Sequence, residues 1–191
     1  MSSFSLSAAP GTDVWKKHPK WDVYNVPTHK TPVKPLSSFT GASITFNATW
    51  TEQYDQAGLI LTLRPRDAAN KTPQKWIKTG LEYYNGTAQL STVACDRFAD
   101  WSITPLAAVG STTEPISLRI ERDESEHGVS IWIYYLPPGG ADRVALREIC
   151  WFYAEEAGEW DLEVSAFAAR PIETTKEELK VEFSGLDVKW A

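Results

Sequence analysis

The dipeptide Asn85-Gly86 sits between two runs of alternating residues, "KWIKTGLEYY" and "TAQLSTVAC". A two-residue type I′ turn needs positive φ at both central positions, and Asn-Gly adopts it with little strain. The pair therefore predicts a tight antiparallel hairpin, and such a hairpin fixes its own register. Tyr84 falls opposite Thr87, Glu82 opposite Gln89 and Lys78 opposite Val93. Successive side chains of a strand point to opposite faces. Ile77, Leu81 and Tyr83 thus share one face. Trp76, Lys78, Gly80, Glu82 and Tyr84 share the other, joined from the return strand by Gln89, Ser91 and Val93.

Similar alternation runs through most of the chain. "ASITFNATW" places Ile44, Phe46 and Ala48 on one side. "AGLILTLRP" separates Ala57, Leu59, Leu61 and Leu63 from Gln56, Gly58, Ile60 and Thr62. "ISLRIER", "VSIWIYYL", "ALREICWFY", "EWDLEVSAFAA" and "KVEFSGLDVKW" complete the set, with turn chemistry in "DESEHG" and "PPGG". Only "TTKEEL" (174–179) reads as helical. Many short strands with regular turns predict an all-β sandwich of two antiparallel sheets. Residues 1–40 hold five prolines and little periodicity, which predicts irregular, extended chain. Trp15, Trp21 and Tyr24 lie there too, so this segment is expected to pack along a body formed by 41–191.

At 191 residues one domain with its own core is expected. The formal charge of −6 and the lack of a basic cluster argue against nucleic acid as a partner. The N-terminus shows no charged-then-apolar leader pattern, and no apolar run approaches ~18 residues. A cytosolic protein without a membrane partner is expected. Cys95 and Cys150 both lie in apolar, strand-like stretches and read as buried free thiols. The sequons at Asn47, Asn70 and Asn85 read as chance occurrences. His18, His29 and His127 are scattered, and no His or Cys pair has metal-ligand spacing, so no metal or cofactor is expected. "DESE" (123–126) reads as a charged turn rather than a Ca²⁺ loop.

Several segments resemble one family in order and spacing: "TDVW", "YDQAGLILTL", "KWIKTGLEYYNGTAQLSTV", "DWS", "LRIER", "AFAARP" and "VEFSGLDV". It is the microbial family labelled "regulation of enolase protein, concanavalin A-like". The resemblance implies a concanavalin A-like jelly roll with one concave sheet face, and it implies no particular chemistry. The Pro-rich stretch between Trp15 and His29 departs from the family pattern, so no role is carried onto His29.

If the middle strands are neighbours, one face presents Gln56, Trp76, Lys78, Glu82, Ser91, Arg119, Trp132 and Tyr134, with Trp101 walling one side. Aromatic faces beside directional polar groups suit a ring-bearing ligand, whereas a merely wetted face would show cross-strand ion pairs. The leading expectation is a non-hydrolytic module binding a sugar-like or ring-bearing small molecule. An alternative is an isomerase, cyclase, lyase or glycosidase-type enzyme using Glu82 as acid/base, with Lys78 or Arg119 setting its pKa and Glu121 as a conceivable second acid. Another is a regulatory domain with a protein partner. The triplet Glu159, Asp161 and Glu163 is spaced like a glycosidase motif, but it also supplies the polar face of a strand whose buried face is Trp160, Leu162 and Val164.

Overall fold

The computed structural model describes residues 3–67, 69, 74–110, 114–154 and 159–191. Its strands are β1 (Ser3–Ala8), β2 (Val14–Lys17), β3 (Trp21–Tyr24), β4 (Thr28–Lys30), β5 (Lys34–Pro35), β6 (Phe39–Ala48), β7 (Gln56–Pro65) and β8 (Lys75–Tyr84). They continue as β9 (Thr87–Cys95), β10 (Ala99–Pro105), β11 (Ile116–Ser125), β12 (Gly128–Leu136), β13 (Val144–Ile149), β14 (Trp160–Ala169) and β15 (Leu179–Trp190). Two antiparallel sheets form a jelly-roll-type sandwich. One has the order β1-β15-β6-β11-β12-β13, and the other β10-β9-β8-β7-β14-β4, with β5 also on β14. A separate two-stranded ribbon joins β2 to β3.

The apolar half of each alternating strand builds the main core between the sheets. Leu59, Leu61, Ile77, Leu81, Leu162 and Val164 from one sheet meet Ile44, Phe46, Leu118, Ile120, Ile131, Ile133 and Phe183 from the other. Each fully buried Leu, Ile or Phe contributes ~1.5–3 kcal/mol relative to exposure. The hairpin at Asn85-Gly86 has φ of +50° and +76°. Its register pairs Tyr84 with Thr87, Glu82 with Gln89 and Lys78 with Val93.

Three expectations need correction. Residues 174–179 form no helix. An α-helical turn is found instead at α1 (Leu106–Val109), where Leu106 is drawn into the core. Cys150 is exposed, because it follows β13 in a turn rather than lying inside a strand; Cys95 is buried, and burial pushes its thiol up to about 11. The first forty residues are less irregular than their prolines suggest. They form five short strands, and β1 pairs with β15 while β4 and β5 pair with β14. The prolines fall where no ladder hydrogen bond is needed: Pro19 in the β2–β3 turn, Pro27 and Pro32 between strands, Pro35 on an edge. "DESE" runs off the end of β11 into the turn before β12. The sequon at Asn70 lies outside the described residues. Among the described residues no helix is long and apolar enough to cross a membrane.

Candidate ligand site beneath the N-terminal hairpin

Alternation sends the other half of β7, β8, β9, β10 and β14 to the outer face of the seven-stranded sheet. The observed register arranges these side chains in rows. One row runs Ser165, Ile60, Lys78, Val93 and Trp101. The next runs Phe167, Gly58, Gly80, Ser91 and Ile103, and the next Ala169, Gln56, Glu82, Gln89 and Pro105.

The two glycines are forced by close approach of the strands. A Cβ on Gly80 would lie 1.8 Å from the Ala57 carbonyl oxygen, and one on Gly58 would lie 2.1 Å from that of Thr79. With no side chains there, the middle of the row opens into a cavity of about 10 Å³ lined by residues including Gln56, Lys78, Gly80, Ser91 and Phe167. That is room for about one water molecule.

The β2–β3 ribbon lies over this face. Val14 packs with Ile60, Trp76, Val93, Cys95 and Phe167 in a second, smaller core, flanked by Trp15, Tyr24, Val26, Ala99 and Trp101. Tyr24 Oη and Thr62 Oγ1 are hydrogen-bonded at 2.7 Å. The backbone N–H groups of Gly11 and Thr12 donate to the Arg170 carbonyl at 2.9 and 3.2 Å. The base of the ribbon is closed by Asn25, whose Oδ1 accepts from the Asp13 N–H at 2.7 Å and whose Nδ2 donates to the Gly11 carbonyl at 3.0 Å.

Under this cover lies a buried polar network. Lys78 is 3 % exposed and Glu82 6 %. Lys78 Nζ donates to Gln56 Oε1 at 2.7 Å and reaches Asp13 Oδ1 at 3.5 Å, with the Trp15 ring centroid 5.6 Å away. Ser91 Oγ donates to Glu82 Oε2 at 2.8 Å, and Trp101 Nε1 donates to Ser91 Oγ at 3.0 Å. Burial pushes the Glu82 carboxyl above the ordinary carboxylate value, against the opposing pull of Lys78 and the Ser91 hydrogen bond. Burial also lowers the Lys78 ammonium, against the carboxylates of Asp13 and Glu82.

A buried amide oxygen and a buried hydroxyl on this face are left over. Gln89 Oε1 and Ser165 Oγ have no hydrogen-bond partner. Gln89 is 8 % exposed and sits beside Glu82 in the register, its amide nitrogen occupied by Thr87 Oγ1. A buried acceptor without a donor costs ~1–3 kcal/mol. The aromatic rings of Trp15, Trp101, Tyr84 and Tyr54 follow one another in edge or tilted contact along this margin, at centroid distances of 6.3, 5.1 and 5.8 Å.

Residues 1–190 match the family described as "Protein of unknown function (DUF1349)". The chain belongs to DUF1349. Its similarity to "Uncharacterized protein AN7484" of Emericella nidulans is 35 % identity over 188 residues, covering 98 % of this chain and 86 % of that one. A functionally unknown protein from Saccharomyces cerevisiae has a similar solved structure, with a TM-score of 0.73 at 19 % identity over 99 % of this chain and 88 % of the other. A GH43 glycoside hydrolase aligns with a TM-score of 0.54 at 14 % identity, over 99 % of this chain and 34 % of its own. At such identities these structures show a shared fold.

In this DUF1349 chain the expected constellation divides between the two sheets. Gln56, Trp76, Lys78, Glu82, Ser91 and Trp101 share the outer face of the seven-stranded sheet. Arg119, Trp132 and Tyr134 lie on the outer face of the opposite sheet, because β11 and β12 pair with β6 and β13. There, Trp132 and Tyr134 stack at 6.2 Å, and the Arg143 guanidinium lies 4.0 Å from the Tyr134 centroid. Glu121 belongs to that second surface, paired with Arg143 and Arg119, so it cannot serve as a second acid for Glu82. Trp76 is packed under Val14 and presents no open ring. Asp13 is the residue that sequence reasoning missed. It contributes the second carboxylate of the network, and the matching "TDVW" segment was the signal that contained it.

The triplet at β14 also resolves. Trp160, Leu162 and Val164 are in the main core. Glu163 is bound by Lys30 at 3.3 Å and Asp161 by Arg66 at 3.0 Å, so both carboxylates are held by surface cations.

Proposed function

We propose that this chain is a non-hydrolytic binding module that holds a sugar-like or ring-bearing small molecule on the outer face of the seven-stranded sheet. The single observation that carries the reading is the unpaired Gln89 acceptor beside the buried Glu82–Ser91–Trp101 network. A hydroxyl group of the ligand would satisfy Gln89 Oε1, while Glu82, raised towards its protonated form, offers both donor and acceptor chemistry. Trp15 and Trp101 supply aromatic walls.

The cavity beside Lys78 is far smaller than a sugar ring. A ligand of that size is admitted only when the β2–β3 ribbon lifts from Lys78 and Gln56. The ribbon is therefore part of the binding event, and Asp13 is the contact exchanged. A place in metabolic regulation, the role implied by the enolase-regulation resemblance, rests on that resemblance alone.

A second reading draws on the raised carboxyl of Glu82 in the same place. A carboxyl whose pKa is raised by burial, beside a lysine, suits one-base isomerisation or elimination. The two readings separate on one variant. In a panel of neutral mono- and disaccharides screened by ligand-observed NMR, Lys78→Met loses binding and Trp132→Ala, on the other sheet, keeps it. Glu82→Gln abolishes any turnover under the enzymatic reading while leaving some binding. If Lys78→Met binds every hit as the wild type does, the module reading is wrong.

A further inference from the structure

The turn joining β2 to β3 reads Lys17-His18-Pro19-Lys20-Trp21. It borders a groove of about 440 Å³ lined by Trp15, Lys17, His18, Pro19, Lys20 and Trp21. The groove is shallow and open to solvent, and its volume falls within the ~300–1,000 Å³ of common small-molecule sites. Trp21 is 62 % exposed, opposite exposed Lys17 in the ribbon. An aromatic ring left open at the lip of a concavity is a stacking surface.

The local charge runs against that of the molecule. The chain carries −6 overall, yet Lys17 and Lys20 have no carboxylate partner among the described residues. Asp22, two residues from Lys20, is already occupied by Lys16 at 3.0 Å. The β9–β10 turn adds Arg97, whose guanidinium lies over Phe98, and Phe98 in turn meets His18 edge-on at 5.6 Å. Uncompensated cations around a concavity raise the local concentration of anions. Cations next to open tryptophan rings select an anion that also has a face to stack.

We propose that this groove is a second binding site, for a ring-bearing anion: a sugar carrying a phosphate or a carboxylate. The ring lies against Trp21 at the lip, and Lys17 and Lys20 hold the anionic group. Trp15 lines the groove and also stands 5.6 Å from Lys78 Nζ, so it touches both sites. The inference does not rest on the Glu82 reading, since its other residues are different and the groove is open with the ribbon in place.

The test is calorimetric titration of the full chain, at low and moderate salt, with glucose 6-phosphate, trigalacturonate, glucose and inorganic phosphate. At least one charged sugar should bind saturably and more weakly as salt rises, glucose should not, and phosphate alone should bind about tenfold more weakly. Which charged sugar binds distinguishes the phosphate from the carboxylate source. Lys17→Ala/Lys20→Ala and Trp21→Ala change exposed residues and should keep the fold, checked by circular dichroism. Each should weaken binding by about tenfold or more, while Trp132→Ala, on the opposite sheet, leaves it unchanged. The proposal is overturned if neither charged sugar binds, if glucose or phosphate binds as tightly, or if both groove variants bind as the wild type does. Loss of binding in Lys78→Met alone would move the ligand to the Glu82 site and overturn it too.

Discussion

Glu82 is a carboxyl whose surroundings favour its neutral form. Burial raises its folded-state pKa above the unfolded value near 4.5, so the folded chain holds this proton more tightly. The contribution to stability is therefore complete below that value and is lost as pH rises through the folded pKa. Glu82→Gln removes the titration. Urea unfolding of both proteins between pH 4 and pH 8 should show the wild type losing stability relative to Glu82→Gln as pH rises; a constant difference across that range would contradict the assignment. Arg170 and Asp55 behave differently, because they form a buried, doubly hydrogen-bonded pair at 2.8 and 2.6 Å. Asp55 also accepts from the Thr51 and Glu52 N–H groups. Its hydrogen bonds with Asp55 raise the Arg170 pKa, so the guanidinium stays charged. Asp55→Asn leaves the guanidinium buried and uncompensated, and denaturant titration should show a loss of about 3–5 kcal/mol. Lys78, Glu82 and Ser91 were legible in the sequence because Asn85-Gly86 fixes their hairpin's register. Asp13 was not, since it meets Lys78 across a separation of 65 residues that no local pattern encodes.

The strands β7 and β8 approach each other so closely at Gly58 and Gly80 that any side chain there meets a carbonyl oxygen. Gly80→Ala should force the strands apart and destabilise the fold by about 3 kcal/mol, read by thermal or chemical unfolding. The β2–β3 ribbon is held mainly by a small core of its own, centred on Val14. Val14→Ala should lose about 2 kcal/mol from that core. By hydrogen–deuterium exchange, it should speed exchange in residues 11–26 while leaving β6 and β15 at their wild-type rates. Equal acceleration in β6 and β15 would mean that the ribbon and the sandwich unfold as one unit. Strands with two-residue alternation were read correctly from sequence because burial on one face imposes that period. The ribbon was hidden because its strands have four residues each and stand among prolines. The pattern at 174–179 looked helical, but it is polar and has no apolar stripe to bury, so nothing holds it as a helix.

At the scale of the whole molecule, sequence periodicity gave each strand two faces without saying which strands lie side by side. Trp132, Tyr134 and Arg119 have the same outward alternation as Lys78 and Glu82, and only the strand order separates them onto opposite surfaces. The sandwich class follows from local pattern, while the membership of a site follows from long-range pairing. What distinguishes the two outer faces is the cover: the seven-stranded sheet is roofed by the N-terminal ribbon, and its buried polar groups include an amide oxygen and a hydroxyl that lack hydrogen-bond partners. A neutral sugar-like ligand is therefore expected to bind beneath that roof. Hydrogen–deuterium exchange of the wild-type chain, with and without the tightest hit from the saccharide panel, tests this directly. The predicted result is a change confined to residues 11–26, 76–84 and 89–93, with residues 117–136 unaltered. A footprint on 117–136, or none at saturating ligand, would contradict it.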